Sequence, residues 1–104
     1  MDFEKVESGS ETRISIRGEL DALSAPELRP TVDELVEQKA KNVVVDVENL
    51  ELIDSSGVAV LVSLYKRTRA HGGQMIVIGA RNQPLAVFKL LRIDRVFLKS
   101  SAQS

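Results

Sequence analysis

The sequence contains no cysteine. Without a thiol the chain can form no disulfide, no thiolate nucleophile and no cysteine-ligated zinc site. Long apolar runs are also absent: nowhere do about 18 consecutive apolar residues occur, and Met1 to Lys5 is not a basic start followed by an apolar stretch. We therefore expect a cytoplasmic protein that is neither exported nor inserted in a membrane.

An excess of charge of either sign is missing as well. The chain has 14 Lys and Arg residues against 15 Asp and Glu, for a formal net charge of -1. No segment combines clustered basic residues with interleaved aromatic residues, as nucleic-acid-binding surfaces do. The single histidine, His71, has no partners for a metal site and is expected to be a helix-end or loop residue. The sequence predicts no nucleic-acid partner, no metal and no cofactor.

What is present is enough material for one hydrophobic core. A chain of 104 residues is long enough for one such core and too short for two, so we interpret residues 1–104 as a single domain. The polar end at 99–104 is expected to be a frayed tail. Every motif must then belong to the same compact body.

The first half of the chain contains two strand patterns, a helix pattern and a third strand. Apolar and polar residues alternate at 11–17, and 3–6 could pair with this strand as a hairpin. Ser24 and Glu27 fit a capping box at the start of an amphipathic helix. Pro30 either kinks that helix or marks where its regular part begins, and the pattern leaves both open. The β-branched run at 42–47 predicts a central strand.

The second half alternates helix and strand. Apolar spacing at 58–69 predicts a helix, Gly72-Gly73 ends it, and 74–78 reads as a short strand. Asn82 is a candidate cap for a third helix that buries Leu85, Phe88 and Leu91, and 96–98 is a candidate last strand. The order β-β-α-β-α-β-α-β predicts an α/β fold, a mixed and largely parallel sheet with helices packed on it.

Chemistry is concentrated in Asp54-Ser55-Ser56-Gly57, at the start of the second helix. A helix N-terminus presents unbonded amides and the positive end of the helix dipole, so it suits a capping side chain or an anionic group such as phosphate. Capping alone is the simpler interpretation, because Asp and Ser are preferred caps in any helix. The residues by themselves leave both interpretations open.

Three motifs together resemble a known family. Gly18-Glu19-Leu20-Asp21 follows an early strand, Asp54-Ser55-Ser56-Gly57 opens a helix, and Gly72-Gly73 precedes a strand, and this pattern resembles the STAS-domain anti-sigma factor antagonists. The resemblance covers essentially the whole chain. It implies that a partner anti-sigma factor, which is also a serine kinase, phosphorylates Ser55, with Ser56 as the second choice.

The same resemblance implies a function and a binding surface. The unphosphorylated domain, a monomer when free, would bind the kinase and release sigma factor, phosphate on Ser55 would switch binding off, and a metal-dependent serine phosphatase would restore it. The partner-binding residues would be Asp21, Asp54, Ser55, Ser56 and Gly57. For Asp21 the alternative is a loop residue that binds nearby backbone.

Two other functional classes compete. An enzyme would use Ser55 or Ser56 as a nucleophile, but the chain has no Gly-x-Ser-x-Gly pattern, and His71 lies at the opposite end of the same helix, roughly 20 Å away. We therefore expect no enzymatic activity and no catalytic residue. The other alternative is a STAS scaffold or regulatory subunit of a stress-sensing or lipid-transport assembly, in which the serine only caps the helix.

Overall fold

The computed structural model describes residues 1–98. The strands are β1 (Asp2–Ser8), β2 (Glu11–Leu20), β3 (Asn42–Asp46), β4 (Leu50–Ile53) and β5 (Gln74–Ile78). The helices are α1 (Ala25–Glu37), α2 (Ser55–Ala70), α3 (Asn82–Leu90) and α4 (Asp94–Phe97). The predicted α/β fold is confirmed. The predicted tail at 99–104 lies outside the described residues.

One mixed sheet organises these elements, in the order β1-β2-β3-β5. The predicted hairpin is confirmed, since β1 is antiparallel to β2. β3 runs parallel to β2 and β5 parallel to β3, as helical crossovers require. β4 pairs in parallel with the last residues of β2, and the register shifts between Gly18 and Glu19. The end of β2 and the end of β4 therefore lie side by side, and this places the loops that follow them together.

The core lies where the helices meet the sheet. Alternate residues of β2, Ile14 and Ile16, are buried together with Val43 and Val45 of β3. The helices contribute the apolar stripes expected from their spacing, and these residues are also buried: Leu28, Val32 and Leu35 from α1 and Val58, Leu61 and Leu64 from α2. Each such leucine or valine contributes about 1.5–3 kcal/mol when fully buried. Because α2 is packed against the core along its length, the position of its first turn is fixed.

The order of elements departs from the prediction in two places. The candidate last strand at 96–98 is wrong, because Asp94–Phe97 is a short helix. The Phe97 ring is buried against Phe88 of α3, with ring centroids 5.5 Å apart, and against Tyr65 of α2 at 6.0 Å. Edge-to-face aromatic packing at such distances favours the helical conformation at this end. The sequence also missed β4, which is too short to show a period of its own.

The predicted cap of α3 is wrong, and that of α1 is right in position only, since Ser24 is the N-cap residue of α1. The Ser24 side chain makes no cap bond to α1, so the capping box does not form. Its hydroxyl instead accepts a hydrogen bond from the Asp21 amide and donates one to the Glu19 carbonyl. Asn82 is the first residue of α3 rather than its cap, with a left-handed φ of 55°. The start of α3 is held by Gln83, whose side-chain amide bonds both backbone groups of Ile53 at 2.9 Å.

Two further expectations are decided by the helix positions. α1 begins at Ala25 and continues through Pro30, so the alternative in which its regular part starts only near Pro30 is wrong. Leu91 was expected to be buried and is 50% exposed, because α3 ends at Leu90 and Leu91 follows as its C-cap. Within residues 1–98, no helix is both long and apolar enough to cross a membrane.

Candidate functional site at the start of helix α2

Asp54 forms the N-cap of α2. Its backbone is extended, and its side-chain Oδ1 accepts hydrogen bonds from the Ser56 amide at 2.8 Å and the Gly57 amide at 3.1 Å. These are two of the amides that a helix start leaves without partners, and a carboxylate there is also favoured by the helix dipole. Asp54 is therefore a helix cap, and the Ser56 and Gly57 amides of the first turn are already occupied.

The second oxygen of Asp54 connects α2 to another loop. Oδ2 accepts a hydrogen bond from the Ala22 amide at 3.1 Å, across 32 residues of sequence. The Asp54 amide donates to the Leu20 carbonyl at 3.2 Å. One side chain thus ties the loop between β2 and α1 to the start of α2. Spacing along the sequence gave no signal for this link, because it joins two loops that only the sheet brings together.

Gly57 permits this close approach. A Cβ atom at this position would lie 2.5 Å from the Leu20 carbonyl oxygen and 2.7 Å from Cγ1 of Ile53. Both distances are far inside van der Waals contact, so no larger residue fits without movement of the backbone. Gly57 therefore lets the first turn of α2 sit directly on the ends of β2 and β4.

The two candidate serines differ in exposure. Ser55, the first residue of α2, is exposed, whereas Ser56 is half-buried. Asp54, directly before them, is exposed as well. A partner approaching from solvent would therefore reach the Ser55 hydroxyl more easily than that of Ser56. This difference agrees with the predicted order of the pair, which stays a prediction.

Asp21 organises the neighbouring loop. Its Oδ1 accepts hydrogen bonds from the Leu23 amide at 3.1 Å and the Ser24 amide at 3.0 Å. It also lies 3.1 Å from the Ser24 hydroxyl, whose single proton it shares with the Glu19 carbonyl. The hydrogen bond from the Ser24 amide, followed by that from the Ser24 hydroxyl, holds the pKa of Asp21 below its ordinary value. Asp21 is therefore ionised at neutral pH and binds nearby backbone. Its role in partner recognition remains a prediction.

An open depression lies beside this loop. Its lining includes four acidic residues, Glu19, Asp21, Glu27 and Glu51, together with Leu23. Met1, Gly18 and Ser24 complete it. The chain as a whole is almost neutral, so its net charge does not reveal that this surface is acidic. Of these residues the sequence predicted a partner-binding role only for Asp21, because Glu27 and Glu51 come from two other elements.

His71 is remote from the site. It is the C-cap of α2, and its Nε2 donates to the Ala40 carbonyl at 2.7 Å. At a rise of about 1.5 Å per residue, the length of α2 separates it from Ser55 by more than 20 Å. The predicted helix-end position is confirmed, and His71 cannot reach the Ser55 hydroxyl as a base. Within residues 1–98, no group of three or more acidic or histidine side chains is arranged to hold a metal ion.

Comparison with known proteins adds a family to this geometry. The sequence model of the STAS domain family matches residues 2–104. An anti-sigma F factor antagonist from Paenibacillus polymyxa is 32% identical over 85 residues, which are 81% of this chain and 70% of the relative.

Solved structures agree on the fold. The Bacillus cell fate determinant SpoIIAA in its phosphorylated form superposes with a TM-score of 0.76 at 22% identity, over 91% of this chain and 87% of that one. An anti-sigma factor antagonist from Mycobacterium paratuberculosis gives a TM-score of 0.80 at 20% identity, over 92% and 81%.

Proposed function

Because this chain belongs to the STAS domain family and to its anti-sigma factor antagonists, we propose that it is a phosphorylation-controlled switch. The unphosphorylated domain, a monomer when free, binds an anti-sigma factor that is also a serine kinase, and sigma factor is released. Phosphate on Ser55 switches this binding off, and a metal-dependent serine phosphatase restores it. The domain works in the cytoplasm, where sigma factors act, and has no catalytic activity of its own.

The observation that carries this proposal is the exposed Ser55 hydroxyl on a rigid helix start. Phosphoryl transfer is largely a matter of positioning, since the hydroxyl must lie in line with the γ-phosphate of the nucleotide. Asp54 and Gly57 hold the first turn of α2 in one place, and Ser55 in that turn is exposed to solvent. The similar Bacillus protein has a phosphorylated form, which supports the assignment of a phosphate acceptor.

The same geometry explains how phosphate would act. Phosphorylation adds nearly two negative charges. Oδ1 of Asp54 already accepts from the Ser56 and Gly57 amides, so a phosphate on Ser55 finds these donors occupied by another anion. The phosphate therefore stays at the surface, where it meets the kinase. In the complex this phosphate would face the phosphates of the nucleotide bound to the kinase, which are also negatively charged. Such unpaired or like-charge contacts cost several kcal/mol.

Incubation with a serine-kinase anti-sigma factor, ATP and Mg²⁺ tests the proposal. We expect one phosphate per chain, located on Ser55 by peptide mass spectrometry. Ser55→Ala should abolish incorporation, and Ser56→Ala, the matched control on the next residue, should be labelled normally. Labelling lost in Ser56→Ala and kept in Ser55→Ala would reverse the assignment within the pair.

A second function is favoured by one observation. The carboxylates of Asp21 and Asp54 both bind backbone amides, so the motif has a structural role without any partner. This suits a STAS scaffold or regulatory subunit of a stress-sensing or lipid-transport assembly. Protein purified from its native host distinguishes the two functions: phosphate on the peptide that contains Ser55 supports the switch, and its absence under every growth condition supports the scaffold.

A further inference from the structure

Leu23 is the most exposed large apolar side chain among residues 1–98, at 88% of its surface. It stands at the tip of the loop between β2 and α1. Single exposed leucines are common on protein surfaces and by themselves indicate nothing. The surroundings of Leu23 are what distinguish it.

The backbone around Leu23 is fixed by side-chain hydrogen bonds. The Leu23 amide and the Ser24 amide both donate to Oδ1 of Asp21. The Ala22 amide donates to Oδ2 of Asp54, and so the loop is attached to the residue that precedes Ser55. Three consecutive amides are thus held by two carboxylates. An apolar side chain on such a loop loses little further backbone freedom when it enters a pocket.

Charge surrounds this apolar tip. Leu23 lines the same depression as Glu19, Asp21, Glu27 and Glu51. A partner surface that covers Leu23 must come close to these carboxylates, and an acidic or uncharged surface would leave them without compensation. The complementary surface is an apolar pocket with basic side chains at its rim.

We propose that Leu23 is the apolar anchor by which this domain docks on its serine kinase, where it enters a pocket rimmed by Arg or Lys. The inference rests on the proposed function, since the partner is the kinase of Ser55. Asp54 links the anchor to the phosphate acceptor, so docking of Leu23 sets the position of the Ser55 hydroxyl. Truncation of a central apolar anchor costs more than most interface contacts.

The chain provides a matched control for this anchor. Leu90 is 81% exposed but lies at the end of α3, with Lys89 before it and Arg92 close behind. It has the same side chain and nearly the same exposure, without the acidic surroundings or the link to Asp54. A general effect of removing surface leucine would therefore appear in both variants.

Calorimetric titration with the purified serine-kinase anti-sigma factors of the chain's own host is the first test. For the kinase that binds the natural sequence, we expect Leu23→Ala to weaken binding at least about tenfold and Leu90→Ala to leave it unchanged. The thermal midpoint should not change in either variant, because both side chains are exposed. Glu27→Gln and Glu51→Gln should each slow association and reduce its dependence on salt.

Photocrosslinking provides a second readout that does not depend on affinity. Since the chain has no cysteine, Leu23→Cys and Leu90→Cys each create one labelling site for a benzophenone maleimide. Irradiation of the complex should join the kinase to position 23 and not to position 90. The crosslinked kinase peptide should contain apolar residues next to Arg or Lys.

The outcomes separate this inference from the proposed function. If a kinase binds the natural sequence and phosphorylates Ser55, but Leu23→Ala binds equally well and position 23 gives no crosslink, the anchor is overturned and the switch stands. If no serine-kinase anti-sigma factor of the host binds or phosphorylates the natural sequence, both are overturned.

Discussion

The two ends of α2 are built by the same packing device and differ in what they present to solvent. At the N-terminal end, Gly57 lies where a Cβ atom would be 2.5 Å from the Leu20 carbonyl oxygen. At the C-terminal end, Gly73 lies where a Cβ atom would be 2.6 Å from the Ala40 carbonyl oxygen. In both places a glycine lets the backbones of two segments meet.

Each end also carries a side-chain link between two loops. Asp54 binds the Ala22 amide at one end, and His71 binds the Ala40 carbonyl at the other. At the C-terminal end the His71 imidazole binds a backbone carbonyl and the exposed side chains are basic, whereas at the N-terminal end Ser55 is exposed. Close packing therefore does not distinguish the two ends, whereas the side chains that they expose do.

Phosphorylation should produce the largest difference between the ends. We expect phospho-Ser55 protein to bind its kinase more than about a hundredfold more weakly than the unmodified form, equivalent to roughly 3 kcal/mol. Its circular-dichroism spectrum should not change, and its thermal midpoint should stay within a few degrees of that of the unmodified form. The reason is that α2 keeps its cap and its buried face. Calorimetry and thermal melts on both forms measure this, with Ser55→Ala treated in parallel as the unlabelled control. Substantial unfolding, or unchanged affinity, would contradict the surface mechanism.

The second-largest effect is expected from substitution of the two glycines. Gly57→Ala and Gly73→Ala should each lower the free energy of unfolding by about 1–3 kcal/mol, since each adds a methyl group against a backbone carbonyl. For a domain of this size each kcal/mol corresponds to roughly 4–8 °C in the thermal midpoint. At a temperature where both variants are folded, only Gly57→Ala should slow phosphorylation of Ser55. Equal slowing in Gly73→Ala would mean that the two ends are coupled.

The smallest expected effect is the titration of Asp21. Its pKa is depressed below the ordinary 3.8 by hydrogen bonds that favour the carboxylate. Its contribution to loop stability is therefore present above pH 3.8 and is lost as the pH falls through the lower pKa of the folded state. In NMR spectra, the Leu23 and Ser24 amides should shift with a midpoint below 3.8.

The opposite end gives the control for this titration. The Gly72 and Gly73 amides donate to the Arg69 and Thr68 carbonyls, so they should not shift with Asp21. Asp21→Asn should remove the shift at Leu23 and Ser24. A midpoint at or above the ordinary value would contradict the hydrogen-bonded state of this carboxylate.

Prediction from sequence succeeded where one local pattern determines the structure. The valines of β3, the apolar stripe of α2 and the start of α2 after Asp54 are all confirmed, because burial and helix capping depend on neighbours close in the chain. It was wrong at Ser24, whose hydroxyl serves the preceding loop instead of the helix, and at 96–98, where packing against Phe88 outweighs strand propensity.

The α/β class, the family and the segment in which a phosphate acceptor is to be sought all follow from residues close together in the chain. The surroundings of that segment follow only from how the chain folds. The pairing of β4 with the end of β2 brings Asp54 to Ala22, and that contact ties the loop that carries Leu23 to the residue before Ser55. The physical reason is that a hydrogen bond between residues 32 positions apart leaves no periodic trace in the sequence and exists only once the sheet has formed.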